Sequence, residues 1–153
     1  MTNALPDSLA AFSVNGHPFA LDVMKVEKVV PAVEIAPLPG APKGVRGVID
    51  LRGTIIPVYD LRTKFGWPDA PVRTSDLFII AHTASRTVAL IADAALGVVR
   101  AADAHWMSAD TIMPGIEGID GVVKLGDNIV FIHELESFLA TGEEDQLAAA
   151  LRK

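Results

Sequence analysis

Apolar residues along this chain fall in short runs separated by Gly-, Pro- and polar-rich breaks, a rhythm that predicts short strands rather than long helices. Ala11 to Val14 and Phe19 to Leu21 flank the turn Asn15-Gly16-His17-Pro18, and Leu77 to Ala81 and Thr87 to Ala92 flank the polar loop His82 to Arg86. Both pairs read as β-hairpins. Each is followed by a valine-rich stretch, Val23 to Val30 and Leu96 to Val99, and then by a longer connection. The first connection, Pro31 to Pro42, carries four prolines and must be extended.

The pattern also repeats itself. Residues 47–61 read GVIDLRGTIIPVYDL and residues 121–135 read GVVKLGDNIVFIHEL. They share Gly, Val, Leu, Ile and Leu at matched positions and keep character at Ile49/Val123, Ile56/Val130, Val58/Ile132 and Asp60/Glu134. Each copy predicts a strand, a tight polar turn, a second strand, then an acid and Leu opening a short helix. The turns are Arg52-Gly53-Thr54 and Gly126-Asp127-Asn128. Asp60 is placed to cap a helical turn from Leu61 to Phe65, with Gly66 ending it in the left-handed conformation, and Glu134 to Ala140 occupies the equivalent place. Pro57 lacks an N–H donor, so its strand must meet an edge or a bulge there.

Two similar halves of about five strands each follow, joined near Gly66 to Ser75, where Trp67-Pro68-Asp69-Ala70-Pro71 breaks the periodicity. Strands this short suggest small closed barrels rather than an open sheet. Residues 1–8 read as a tail and residues 9–140 as the repeated unit. Residues 141–153 read as a C-terminal helix, with Thr141 and Glu144 as a capping box and Leu147 and Leu151 one turn apart.

The hydrophobic fraction is 50% and the mean hydropathy +0.37, values that raise the question of a membrane segment. The most apolar stretch, Thr87 to Val99, is interrupted by Asp93, and no run reaches the roughly 18 residues a spanning helix requires. No secretory signal opens the chain, so a cytoplasmic protein without direct membrane insertion is expected. The absence of cysteine excludes disulfides, thiolate catalysis and cysteine-ligated metals. A net charge of -6 with scattered Lys and Arg argues against nucleic acid, and nine aromatics offer no interleaved stacking platform.

Chemistry is equally hard to place. His17, His82, His105 and His133 are isolated from one another, which gives no zinc pattern. Gly115, Gly118 and Gly121 recur every third residue, not at the spacing of a dinucleotide loop, and no serine sits in a nucleophile elbow. Glu117 with Asp120 is a carboxylate pair with nothing to show that it shares a cleft. The expectation is a protein that binds other proteins, with no catalytic residue, no cofactor and no metal.

The repeat supplies a control on Arg52. Its matched residue in the second copy is Gly126, so the fold itself does not require a guanidinium at that turn. With Val48, Leu51 and Ile55 nearby, Arg52 reads equally as an ordinary exposed arginine and as an interface residue, a role in which arginine is enriched.

The stretch PLPGAPKGVRGVIDLRGTIIPVYDLRTKFG, Pro37 to Gly66, resembles the signature region of the CheW family of chemotaxis coupling proteins: a Pro-Leu-Pro loop, Gly-Val-Ile, Leu-Arg-Gly, and Pro-Val-x-Asp-Leu-Arg in order. The resemblance runs from about Leu9 to Ala140 and includes FALDVMKVEKVV and VALIADAALGVV. It implies a mostly β fold of two intertwined five-stranded SH3-like barrels with short helices. It also implies a non-enzymatic adaptor that links the cytoplasmic tip of chemoreceptors to the regulatory domain of a histidine kinase, recruited to membrane receptor arrays. The receptor helix would lie in a groove between the barrels, at the positions Val26, Lys28, Arg52, Leu77 and Val98, and the kinase would use a separate barrel end. Asp50 stands where the family usually has Asn, Lys28 where many members carry an acid, and His133-Glu134 where an apolar residue and Asp are common. These departures leave the fold intact and point to a particular receptor and kinase pair, including one in an accessory pathway outside motility. A small-molecule sensor with a ligand in the seam between barrels is the alternative from a different class.

Overall fold

Asn15-Gly16 and Arg52-Gly53 carry positive φ at both positions, 53 and 78 in the first and 55 and 88 in the second. That geometry makes two-residue hairpin turns whose twist matches the strands they join. The first joins β1 (Ser8–Val14) to β2 (His17–Asp22) and the second joins β4 (Val45–Leu51) to β5 (Thr54–Tyr59), so His17 and Pro18 belong to a strand rather than to the turn. The computed structural model describes residues 7–68, 70–100, 105–108, 119–125, 127–132, 135–139 and 151. Gly115, Glu117, Gly118, Gly126, His133, Glu134 and the capping box Thr141/Glu144 lie outside the described residues. So does the C-terminal helix apart from Leu151, which is helical and packs on the core.

A 3-10 turn, Val23–Lys25, capped by Asp22, leads into β3 (Val26–Pro31). After β5, Asp60 accepts a hydrogen bond from Arg62 N–H at 3.0 Å and opens α1 (Leu61–Lys64). Gly66, at φ 69, ends it as the sequence predicts. The second half supplies β6 (Leu77–His82), β7 (Thr87–Ala92), β8 (Ala94–Arg100), β9 (His105–Ser108), β10 (Ile119–Leu125), β11 (Asp127–Ile132) and α2 (Leu135–Leu139).

The sheets do not follow the two halves of the chain. One sheet has the order β3-β6-β7-β5-β4 and the other β8-β1-β2-β11-β10-β9. Each half therefore lends its first hairpin to the other: β6–β7 pairs with β3 and β5, and β1–β2 pairs with β8 and β11. The expectation of two consecutive lobes is corrected in this respect, while the mostly β, intertwined, two-sheet architecture stands as expected. The connection after β3 starts beside β6, with Ala32 N–H donating to Asp76 O at 3.0 Å. It ends beside β4, where Ala36 and Val48 exchange two bonds of 2.9 Å. In the other lobe β9 returns to β10 in the same way, with Met107 opposite Val122, the residue that matches Val48 in the repeat.

The exchanged hairpins are buried on both faces, which explains why β6 and β7 read as continuous apolar runs rather than alternating ones. Phe78, Ile80, Ala89 and Ile91 join Ile49, Ile56 and Val58 in the core of the five-stranded lobe. Ile79, Ala81, Val88, Leu90 and Ala92 point the other way into a larger core, where they meet Phe12, Val14, Phe19 and Leu21 from β1 and β2. Leu61 and Leu135 both sit in this shared core, between the lobes. Leu9, Ala20, Ile129 and Phe131 fill the smaller core of the six-stranded lobe.

The repeat also carries a shared irregularity and one slip. The β4–β5 and β10–β11 registers both break just before the matched glycines, between Val45 and Gly47 and between Ile119 and Gly121. At Gly47, φ 150, an added Cβ would lie 2.2 Å from Ala36 O, because the returning connection crosses there. The slip is at the turn. β4–β5 closes on Leu51 opposite Thr54, but β10–β11 closes on Leu125 opposite Asp127, so Asp127 and Asn128 are strand residues. A shift of one residue turns every side chain of a strand over. Ile56 and Val58 face their own lobe's core, whereas their sequence matches Val130 and Ile132 pack into the shared core. Pro57 lies in an interior strand, opposite Val48, but β7 pairs only with Val58 and Tyr59, so that flank is open at the proline.

Leu61→Ala and Leu135→Ala should each lower the unfolding free energy by about 2–5 kcal/mol in urea titrations, since both empty the same shared core. Near-neutral values at both positions would contradict that placement. Gly47→Ala should cost about 1–3 kcal/mol from forced displacement of the connection, measurable in the same titration.

Candidate functional site

Arg52 occupies the tip of the β4–β5 hairpin in the left-handed region, at φ 55, where glycine, Asn or Asp is the ordinary choice. Asp50 stabilises the turn: its Oδ1 accepts the Gly53 N–H at 2.7 Å. An Asn side-chain oxygen could accept the same bond, so the departure at Asp50 preserves this contact. Arg52 is exposed and makes no ion pair among the described residues. Beside it Ile55 is 53% exposed. An apolar side chain and a free guanidinium together at a rigid tip are the ingredients of an interface hot spot.

The sheet registers place the other groove positions. Val26 stands opposite Ala81, near the β6–β7 turn. β5 runs parallel to β7, so the Arg52 turn lies at that same end of the sheet. Leu77 pairs with Pro31 and is therefore at the other end, roughly 16 Å along β3 from Val26 by strand rise. Directly opposed residues share a face. Val26 and Leu77 share the face of Ile79 and Ala81, which looks into the seam between the lobes, and Val98, opposite Ala10 on β1, lies on the seam-facing side of the other sheet. Lys28 is opposite Ile80 and so stands on the reverse face. Its ammonium lies 3.9 Å from Glu27, whose other oxygen is 3.1 Å from His82 Nε2.

Val98 is 62% exposed, and the structure adds a residue that sequence reasoning missed, Val29, which is 43% exposed. β3 and β8 are the equivalent edge strands of the two lobes, and each has a register break, between Val26 and Lys28 and between Ala95 and Gly97. Counting from those breaks, Val29 opposite Ile79 is the counterpart of Val98 opposite Ala10. The shared dipeptides Val29-Val30 and Val98-Val99 agree with this match. Two edge strands thus present exposed valines on the seam-facing sides of their sheets.

A buried polar cluster was also invisible in the sequence. Arg62 is 1% exposed. Its Nε donates to Asn15 Oδ1 at 2.7 Å, and Nη2 lies 3.5 Å from Asp93 Oδ1. Nη1 lies 3.5 Å from Asp60 Oδ1, too far for a good hydrogen bond. Asp93 Oδ2 accepts the Gly16 N–H at 2.9 Å, and Arg46 Nη1 donates to Asp60 Oδ2 at 2.7 Å. Every group has an opposite charge or a turn to hold, which reads as architecture: α1 of one lobe grips the β1–β2 turn of the other. His17 stacks on Trp67 at 4.7 Å at the same place, so the segment after α1 is anchored there.

An open cavity of about 450 Å³ lies between residues 32–35 and 71–74, with Arg46 in its lining. Among the described residues, none of the six-stranded sheet lines it, which sets it apart from the seam. Among the described residues, no group of three or more metal-ligating side chains occurs and no helix is long and apolar enough to cross a membrane.

Comparison with known proteins gives concordant results. The family model described as CheW-like domain matches residues 8–143. The chain is 28% identical over 139 residues to a chemotaxis protein CheW of Rhizobium meliloti (strain 1021), covering 90% of each. It is 26% identical over 146 residues to that of Treponema pallidum (strain Nichols), covering 92% of this chain and 86% of the other. The crystal structure of scaffolding protein TtCheW from Thermoanaerobacter tengcongensis superposes with a TM-score of 0.76 at 29% identity, covering 92% of this chain and 97% of that one.

If the Arg52 backbone is strained for the sake of its side chain, Arg52→Asn should raise stability by about 0.5–1 kcal/mol. A melt or urea titration showing lower stability would mean that the guanidinium serves the scaffold.

Proposed function

The chain belongs to the CheW-like family, and from that premise we propose that it is a non-enzymatic adaptor. Its partners would be the cytoplasmic tip of a chemoreceptor and the regulatory domain of a histidine kinase, met in the cytoplasm at membrane receptor arrays. The observation that carries this reading is the exposed Arg52, presented beside Ile55 on a turn whose backbone a glycine or Asn would satisfy better. A scaffold has no use for that arrangement; a docking surface does. Val26, Leu77 and Val98 extend the receptor surface along the seam, and Val29 joins them. Lys28, on the reverse face, fits a contact at the rim, where a change of charge sign alters which partner is attracted.

Such an adaptor performs no bond chemistry. It contributes binding free energy to two partners at once and raises the effective concentration of one near the other. Regulation requires the two surfaces to be coupled, and the shared core packed against both sheets is the physical continuity through which coupling could pass.

Arg52→Ala should weaken binding of a purified receptor cytoplasmic fragment by about 1–3 kcal/mol, while affinity for the kinase regulatory domain is retained. Equal loss of both affinities, or of neither, would remove Arg52 from the receptor surface. Val29→Lys should reduce the same receptor affinity by about tenfold or more through an unpaired charge in an apolar contact. An unchanged dissociation constant would take the seam-facing valines out of the docking surface.

A further inference from the structure

Arg62 and Glu136 occupy the same place in the repeat, 74 positions apart, each as the second residue of its short helix. Each reaches the hairpin turn that belongs to the other lobe's sheet. Arg62 of α1 holds Asn15 in the β1–β2 turn. Glu136 of α2 holds Ser85 in the β6–β7 turn, its Oε1 accepting the Ser85 N–H at 3.0 Å and the Ser85 hydroxyl at 2.5 Å. The two contacts are thus equivalent by topology, yet they differ in kind.

The Arg62 contact is buried on the arginine side, although Asn15 itself is exposed. Its guanidinium is buried with Asp60, near Asp93, and aromatic rings at Phe65 and Trp67 close over β2 beside it. Opening it would leave a buried guanidinium and a buried carboxylate short of partners. The Glu136 contact stands in solvent, since both Ser85 and Glu136 are exposed. The Ser85 hydroxyl is the main reason the carboxyl is held below its usual range; desolvation opposes it as the next largest effect, and the Ser85 N–H, Thr83 and Arg86 add smaller contributions in the hydroxyl's direction. Water can replace each of these hydrogen bonds at little cost.

We propose that Ser85 and Glu136 form the releasable one of two clasps between the lobes, and that opening it frees the sheets to change their relative orientation at the end that carries Arg52. The permanent clasp at Arg62 then serves as the pivot. The location follows from the registers: the β6–β7 turn, Val26 and the Arg52 turn share one end of the five-stranded sheet. A shift at that end would move the Arg52 tip relative to Val98 on the other sheet by a small shear of the shared core, while each lobe's own core stays packed.

The test uses the whole chain in solution, with site-resolved amide exchange and residual dipolar couplings on Glu136→Ala and Ser85→Ala. Both substitutions are at exposed positions and should shift the melting temperature by less than about 4 °C. In Glu136→Ala the Ser85 amide should exchange about tenfold or more faster, while the Gly16 amide, held by Asp93 at the pivot, keeps its protection. The two sheets should report one common alignment tensor in the unmodified chain and two distinguishable tensors in both variants. Unchanged exchange at Ser85, a common tensor in either variant, or parallel loss of protection at Gly16 would each overturn the proposal.

Discussion

The structure depends on four strands that have no solvent-facing side. The hairpins β1–β2 and β6–β7 each fill the core of the sheet they join with one set of alternating residues and the shared core with the other. A strand apolar on both faces cannot rest at an edge or stand alone without exposing one of them. Exchange of hairpins between the halves satisfies both faces at once. The lobes are therefore not two domains that happen to touch, because each is completed by residues from the other half and both lean on the same central layer.

Polar groups occupy the places where that layer ends. Arg62 is the one fully buried cation among the described residues, and it sits where α1 meets the borrowed turn. Burying a charge is costly unless partners surround it, and the partners come from separate stretches of chain: Asn15, Asp60 and Asp93. Such a cluster assembles only when the halves are correctly exchanged. It specifies the arrangement more than it strengthens it, since replacement of buried ion pairs by apolar residues is often neutral for stability.

Much of this was legible in the sequence, and the gaps have physical causes. The hairpins, the Asp60 cap, the Gly66 stop and the internal repeat follow from local rules of turn and cap chemistry. Which hairpin joins which sheet is a long-range choice that no local pattern encodes, so the exchange itself came only through resemblance. The repeat misled at Val130 and Ile132, because sequence matching is blind to a turn one residue shorter and a strand's parity depends on that residue. Among the candidate groove positions, Arg52 stood out because its matched residue is a glycine, but the pattern alone left it even between an interface residue and an ordinary exposed arginine. Val29 was passed over although Val29-Val30 and Val98-Val99 match, because which valine of each pair faces the seam depends on the strand register. Arg62 looked like any surface arginine of a short helix until the borrowed turn was seen to cover it.

Exchange also sets the order of events during synthesis. β1–β2 leaves the ribosome first, yet its sheet partners extend to Ile132, about 110 residues later in the chain. At the usual 5–20 residues per second, the nascent hairpin waits on the order of 5–20 s with both apolar faces unsheltered. The five-stranded lobe waits less, since β6 and β7 complete it well before the last strands appear. Co-translational folding is accordingly inverted among these strands, with β3 to β7 closing before β1–β2, so the hairpin made earlier is among the last to find its place.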